Sequence, residues 1–563
     1  LFRKGGGGPP HVRTRNCKGS VILKKSKSSS FFEGALILVL SNAIVKVIGA
    51  LFSIPITNMI GGEGNGIFTV AYYIYTAMFV ISTAGLPVAV SKMVAEANAL
   101  GKYTEVKRIF RVAIITFSII GGIGTSVMMI GARWFVERIG NSLAYYAVLA
   151  IAPSIFFVAI ISAFRGYFQG LSNMVPTAIS QVIEAAGKLV FGLLLTYLLI
   201  QKGYPLEIVV AGSIGGVTIG TVLSALYIIL ARVRAGSGLP EGAIDISAIR
   251  GYGEITERLI KIAVPITIGS SVLSITNLID MGVVLNRLQD AGQTETEANF
   301  IYGCYNMAVK MFNMPQALIV ALSVSIIPAV AAAYARKDNA KAAGTIMAAL
   351  RFTGIMALPC AAGLAVLAHP ILSLLYYRIP NEVNIAAPLL VLISPAVLLV
   401  ALVSVTNAIL QASGNEIYPV VSMLAGGIVK IAVNWILVGN PDINIVGAPV
   451  GTICCYVVMC ALNYFFMSKC LYRRPKLTRV LVTPAMSCAV MGAAAWAVYG
   501  LLSKIMSRGG MLGRVPMALS MLVAIGVAAV LYLVMIIFTR SITMDDMKLI
   551  PKGEKIGRLL HIK

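Results

Sequence analysis

The chain reads as long apolar runs separated by short polar or charged stretches. The runs last about 20 residues or more, the length at which an α-helix crosses the hydrocarbon core of a bilayer and about twice what a barrel strand needs. Fourteen membrane helices are predicted, near 34–57, 67–90, 110–132, 143–164, 176–200, 207–231, 260–285, 302–331, 344–368, 385–409, 418–438, 446–467, 480–502 and 514–538. In lipid every backbone polar group has to be satisfied within the protein, so the expected fold class is an all-α polytopic membrane protein.

The charges between the runs give the orientation. With the N-terminal stretch placed inside, the inner segments carry 34 basic residues and the outer ones eight. Basic residues collect on the cytoplasmic side, so both termini of this multi-pass membrane protein are expected there. The last four of the 46 Lys and Arg, namely Lys46, Lys188, Lys310 and Lys430, fall inside the runs.

Composition removes several alternatives. A hydrophobic fraction of 58%, 12% charged residues and a mean hydropathy of +0.87 over 563 residues exclude a soluble domain, which has no way to cover its surface with so few charges. The net charge of +24 would suggest nucleic acid in a soluble chain, but here it follows from topology, and no nucleic-acid partner is expected. The eight cysteines lie mostly within apolar runs and lack metal-ligand spacing. No G-x-x-x-x-G-K-[ST] motif occurs, the three histidines do not cluster, and the Asp545–Asp546 pair has no third acid beside it. Neither an enzyme nor a bound cofactor or metal is expected.

The stretch from Ile151 to Lys188 recurs 242 positions later, at Ile393 to Lys430, with no gap. Nine of 38 positions are identical, among them the polar pairs Ser162/Ser404, Gln169/Gln411, Asn173/Asn415, Ser180/Ser422 and Lys188/Lys430. The two copies lie six spans apart, and an even number keeps direction across the membrane. Two parallel six-helix repeats are therefore expected, with two further C-terminal helices. The predicted organisation is a disordered basic head (1–30) without a cleaved-signal pattern, an N-lobe (31–232), a cytoplasmic linker (233–259), a C-lobe (260–468), helices 13 and 14 (479–538) and a basic tail (539–563).

A charge inside a span costs roughly 2.5 to 3.5 kcal/mol on insertion scales, so it usually faces a cavity or a partner. The residues concerned are Lys46, Glu184, Lys188, Asp280, Lys310 and Lys430. Glu184 and Lys188 are four apart, so they share a helix face and can pair locally. Four lysines against two acids leave a positive surplus, which suits an anionic solute such as phosphate or pyrophosphate. Arg165 stands at a cytoplasmic helix end, where snorkelling to headgroups is expected, and Tyr72, Tyr73 and Tyr75 fit either an interfacial belt or a cavity mouth.

SNAIVKVIGALFSIPITNMIG in the first span and RGYFQGLSNMVPTAISQVIE across the fourth and fifth carry a family likeness. Over about residues 31 to 540 the chain resembles the stage V sporulation protein B type of polysaccharide transporter, kin of the MurJ lipid II flippases in the multidrug, oligosaccharidyl-lipid and polysaccharide (MOP) exporter superfamily. The resemblance implies a V-shaped, two-lobed, MATE-like fold and a secondary flippase that needs no ATP. Its substrate would be an undecaprenyl-pyrophosphate-linked saccharide, with lipid II first, and membrane lipids and a monomeric state go with it. A cation-coupled multidrug exporter, or an exporter of another lipid-linked unit, is the alternative. The candidate substrate-binding residues are Lys46, Lys188, Glu184, Lys310, Arg165, Gln169 and Asn173. Lys46 matches a helix-1 arginine of the MurJ-like proteins, while Phe52 stands where they place a second. The resemblance also puts Asp280, Asn434 and Thr452 at a sodium site, with Lys430 as an ammonium in the metal's place, so Asp280 and Lys430 are expected to form a buried ion pair.

Overall fold

The computed structural model describes residues 27–234, 250–335, 339–415, 417–470, 477–508, 513–539 and 541. Among these the chain forms eighteen α-helices and no strand: α1 Lys27–Thr83, α2 Leu86–Ala99, α3 Tyr103–Ile130, α4 Ala132–Ile139, α5 Tyr145–Ile151, α6 Pro153–Gly170, α7 Val175–Gln201, α8 Leu206–Arg234, α9 Tyr252–Asp290, α10 Glu295–Ala335, α11 Asn339–Val366, α12 Ala368–Leu375, α13 Pro380–Ile393, α14 Ala396–Ala412, α15 Ile417–Val438, α16 Gly447–Cys470, α17 Leu477–Arg508 and α18 Arg514–Phe538. Eleven helical stretches among the described residues are long and apolar enough to cross a membrane, or twelve when α13 and α14, bent by 48°, count as one broken span. The expectation of fourteen is thus not reached by this count.

One reason lies in α1. It carries two of the predicted spans as one helix of 57 residues, interrupted at Gly61 with φ 69° and ψ −170°. The Phe52 and Phe68 rings nevertheless approach to 6.0 Å between centroids. Sixteen residues of straight helix would separate them by about 24 Å. The two arms therefore fold back on each other as a hairpin, and glycine supplies the positive φ at its apex.

The inter-element segments also depart from expectation. α1 begins at Lys27, inside the predicted head, and residues 1–26 lie outside the described ones. α9 begins at Tyr252, so the end of the predicted linker is helix, and 235–249 lie outside the described residues, as does most of the 539–563 tail. The start of α10 is fixed by a capping box: the Glu297 N–H donates to Thr294 Oγ1 at 3.3 Å, and the Thr294 N–H donates to Glu297 Oε2 at 2.9 Å. That backbone bond, with a second from the Thr294 hydroxyl, holds the exposed Glu297 carboxyl below its ordinary range.

Helix boundaries repeat along the chain. Both bounds of α3 and of α4 recur in α11 and α12 after a shift of 236, while the end of α5 and the start of α7 recur in α13 and α15 after a shift of 242. The six extra residues lie between the end of α12 and the end of α13. The turn after α6 recurs bond for bond. Asn173 N–H donates to Phe168 O at 2.9 Å and Asn415 N–H to Leu410 O at 3.0 Å; Ser172 and Gly414, both at positive φ, donate to the carbonyls of Gln169 and Gln411. The Asn and Gln identities in the sequence thus mark a shared loop geometry.

Candidate functional site

α7 and α8 pack backbone to backbone, since a Cβ at Gly187 would meet Gly220 and one at Gly216 would meet Gly192. Small residues allow this approach in a membrane. It turns one face of α7 toward α1, and on that face Gln181, Glu184 and Lys188 recur at helical spacing. They line a cavity of about 370 Å³ together with Lys46 and Phe52 from the first arm of α1 and Arg165 from α6. The Lys188 ammonium lies 4.7 Å from the centroid of Phe52 and 5.0 Å from that of Tyr72, one ring from each arm of the hairpin. Among the described residues neither Lys46 nor Lys188 has a carboxylate partner.

Two expectations fail here. Glu184 pairs with Arg165 rather than Lys188: Arg165 Nη2 donates to Glu184 Oε2 at 2.9 Å, and Nε donates to Ser180 Oγ at 3.0 Å. The Arg165 side chain is accordingly 16% exposed and does not snorkel. A planar guanidinium reaches both acceptors from α6, whereas a second residue on α7's own face is drawn to the aromatic rings. Gln169 and Asn173 are absent from the cavity wall, and their backbone groups shape the turn that ends α6.

Lys310 faces a different cavity. It donates to Asn65 Oδ1 at 2.6 Å and Thr57 Oγ1 at 3.2 Å, so α10 reaches across to both sides of the α1 apex. Asn65 Nδ2 in turn donates to Gly303 O at 2.7 Å. Close contact is possible because a Cβ at Gly66 would strike the Asn299 backbone, and one at Gly303 the Gly62 carbonyl. Asn141 and Asn299 bond each other nearby, and Glu295 accepts from Ser142 and the Leu143 N–H. The first and second halves of the chain are thus joined at the Gly61 end. Beside Lys310 lies a cavity of about 620 Å³, walled by Lys46, Gly49 and Ser53 of α1 and by Asn313 and Met314 of α10. Lys46 lines both cavities, so one ammonium stands at their shared edge.

The remaining charges meet in the second half. Lys430 Nζ of α15 lies 2.7 Å from Asp280 Oδ2 of α9, and Asn434 Nδ2 donates to Asp280 Oδ1 at 2.5 Å. Thr452 from α16 is 3.4 Å from the Tyr305 hydroxyl and bonds the Ala448 carbonyl. Asp280, Lys430 and Thr452 line a third cavity of about 120 Å³ with Tyr73, Tyr305 and Tyr456. Tyr72 and Tyr75 line the first cavity instead, so none of the three tyrosines forms a separate belt. Sequence reasoning missed Asn65, Asn58, Gln181 and Tyr305. Gln181 and Tyr305 lie within predicted spans, Asn58 and Asn65 lie between the first two, and the only available signal was their polarity.

Residues 31–333 match the family described as Polysaccharide biosynthesis protein. The chain is 24% identical over 525 residues to the lipid II flippase MurJ of Bacillus subtilis, covering 90% of this chain and 95% of that one. It is 25% identical over 533 residues to stage V sporulation protein B of Bacillus subtilis, covering 94% and 99%. Among solved structures, the fold is similar to that of a multidrug resistance MATE family transporter of the MOP superfamily in an inward-facing conformation, with TM-score 0.61 and 13% identity over 79% of this chain and 99% of that one. It is also similar to that of the lipid II flippase MurJ in an inward closed conformation, with TM-score 0.59 and 16% identity over 87% and 99%. The all-helical architecture, the apolar helices and the matched sequence agree, and the chain belongs to the Polysaccharide biosynthesis protein family.

Proposed function

We propose that the chain is a flippase for undecaprenyl-pyrophosphate-linked saccharides, with lipid II as its substrate, working by alternating access across a bacterial cytoplasmic membrane. One observation carries the reading: among the described residues Lys46 and Lys188 stand free of carboxylates on one cavity whose single acid, Glu184, is already neutralised by Arg165. A cavity with that surplus attracts a diphosphate at a low effective dielectric and repels a cationic drug, so the exporter alternative meets the wrong sign of charge. Lys310 adds a cation at the join between the halves, and the neighbouring cavity of about 620 Å³ gives room for a saccharide. The two unrepeated helices α17 and α18 pack on α11 at the side of the bundle, where a prenyl tail can remain in lipid. The two halves, 31–232 and 260–468, act as lobes that rock about this space.

The test is complementation of cells depleted of their own lipid II flippase. The unaltered chain is expected to restore growth, and Lys46→Glu or Lys188→Glu to fail at equal membrane abundance. No rescue by the unaltered chain overturns lipid II as substrate; rescue by Lys46→Glu overturns the cationic cavity.

A further inference from the structure

A separate cavity of about 320 Å³ sits between α12, the start of α13 and the first turn of α18, lined by His369, Ser373, Tyr376, Tyr377, Asn384 and Arg514. It lies at the Gly61 end: Asn58 Nδ2 donates to Leu375 O at 2.8 Å, and Asn58 Oδ1 accepts from the Arg378 N–H at 3.2 Å. The guanidinium of Arg514 lies over the Tyr377 ring, and that of Arg378 is 5.6 Å from the same centroid. Among the described residues neither guanidinium is in an ion pair. His369 is held between Asn384 Oδ1 and Ser373 Oγ, each at 3.3 Å. The second observation is Tyr376. It is fully buried, its hydroxyl has no hydrogen-bond partner, and it lines both this cavity and the Lys46–Lys310 cavity. A buried hydroxyl left unpaired is costly, so one aimed into cavity space points to a ligand.

We propose that this cavity is a second anion-binding site that holds the phosphate-bearing headgroup of an anionic lipid, with Tyr376 as the wall between it and the Lys46–Lys310 cavity. The Arg514 guanidinium on the cavity wall, with that of Arg378 beside it on the same ring, suits bidentate recognition of phosphate oxygens. His369, Ser373 and Asn384 supply further hydrogen bonds, and the first N–H groups of α18 add a positive end. Free phosphate shares this chemistry. The lipid is favoured because Arg514 opens a helix whose next turns present Val515, Leu519 and Leu522 outward, an apolar track on which acyl or prenyl chains can lie. The site deepens the flippase reading and rests on it for direction: a headgroup leaving the central cavity passes Tyr376 to reach a station on the exit side.

Native mass spectrometry of the purified full chain tests it, with undecaprenyl phosphate as the probe and undecaprenol and inorganic pyrophosphate as the comparison probes. Two undecaprenyl phosphates are expected per protein. Arg378→Gln combined with Arg514→Gln, both at exposed positions, should leave one and weaken the other at least about tenfold. Tyr376→Phe should lower occupancy while Tm stays the same or rises, an outcome a purely structural tyrosine would not give. Retention of both lipids by the double variant, equal retention of undecaprenol, or a loss confined to pyrophosphate binding would each overturn the proposal. Should Lys46→Gln leave two lipids bound while the double variant leaves one, this site is supported and the central-cavity reading is what fails.

Discussion

The Lys430 ammonium and the Asp280 carboxylate lie 2.7 Å apart, with side chains 16% and 12% exposed, linking α15 to α9 inside the second half of the chain. Removing one partner of a buried pair strands the other and typically costs about 3 to 5 kcal/mol, whereas replacing both with apolar residues of similar volume is often nearly neutral. Lys430→Met and Asp280→Leu should each lower the thermal unfolding midpoint in detergent, and the double variant should recover most of the loss. Additive losses would sink this account. If the ammonium occupies a cation's place, exchanging sodium for potassium should leave the midpoint of the unaltered protein unchanged, while Lys430→Gly should make it sodium-dependent.

Lys188 is held by the rings of Phe52 and Tyr72 rather than by an acid. Its charge is therefore available to a ligand, and the position should follow charge rather than residue identity. Lys188→Arg should keep substantial flipping in a vesicle assay, because a guanidinium also stacks on aromatic faces, whereas Lys188→Gln should lose most of it. Equal activity of Gln and Arg at this position would remove Lys188 from the site.

Arg165 and Glu184 form an ion pair where sequence spacing allowed one between Glu184 and Lys188. A double-mutant cycle on Arg165→Gln and Glu184→Gln should give a coupling of about 1 to 2 kcal/mol, the range for residues sharing one hydrogen-bonded ion pair. A cycle on Glu184 and Lys188 should give close to none. The reverse ranking would restore the local i,i+4 pair.

The join between the halves depends on glycine at Gly66 and Gly303. Gly303→Leu should push α10 away from the α1 apex. The readout is disulfide formation between cysteines placed at Asn141 and Asn299, which bond each other here. In a background without native cysteines the crosslink should form readily, and it should fall sharply with Gly303→Leu. An unchanged yield would mean that the crossing tolerates a side chain.

The length and spacing of the apolar runs determined the helical membrane class by themselves, because only helices and closed barrels satisfy their backbone in lipid and runs of about 20 residues are twice what a barrel strand needs. The repeat was also legible: Gln169/Gln411 and Asn173/Asn415 sit in turns that close with the same backbone bonds, and apolar composition alone does not produce such matches. The in-span charges were legible as a set, since each is costly in lipid, and so was the Asp280–Lys430 contact. Partner choice elsewhere was not. Glu184 had Lys188 one turn away on its own helix, yet Arg165 from α6 is its partner because the turn at Leu171–Met174 brings α6 back alongside α7. Gln169 and Asn173 stood out as repeated polar positions, and in the fold their backbones close that turn while the wall of the Lys46–Lys188 cavity is built by other residues. The α1 hairpin, the crossing at Gly66 and Gly303, and the meeting of Tyr376, Tyr377 and Arg514 across well over a hundred residues of sequence were decided by tertiary structure. Local pattern records which residues are costly to leave in lipid. Which neighbours relieve that cost depends on how the helices cross, and that is set by close packing between segments remote in the chain.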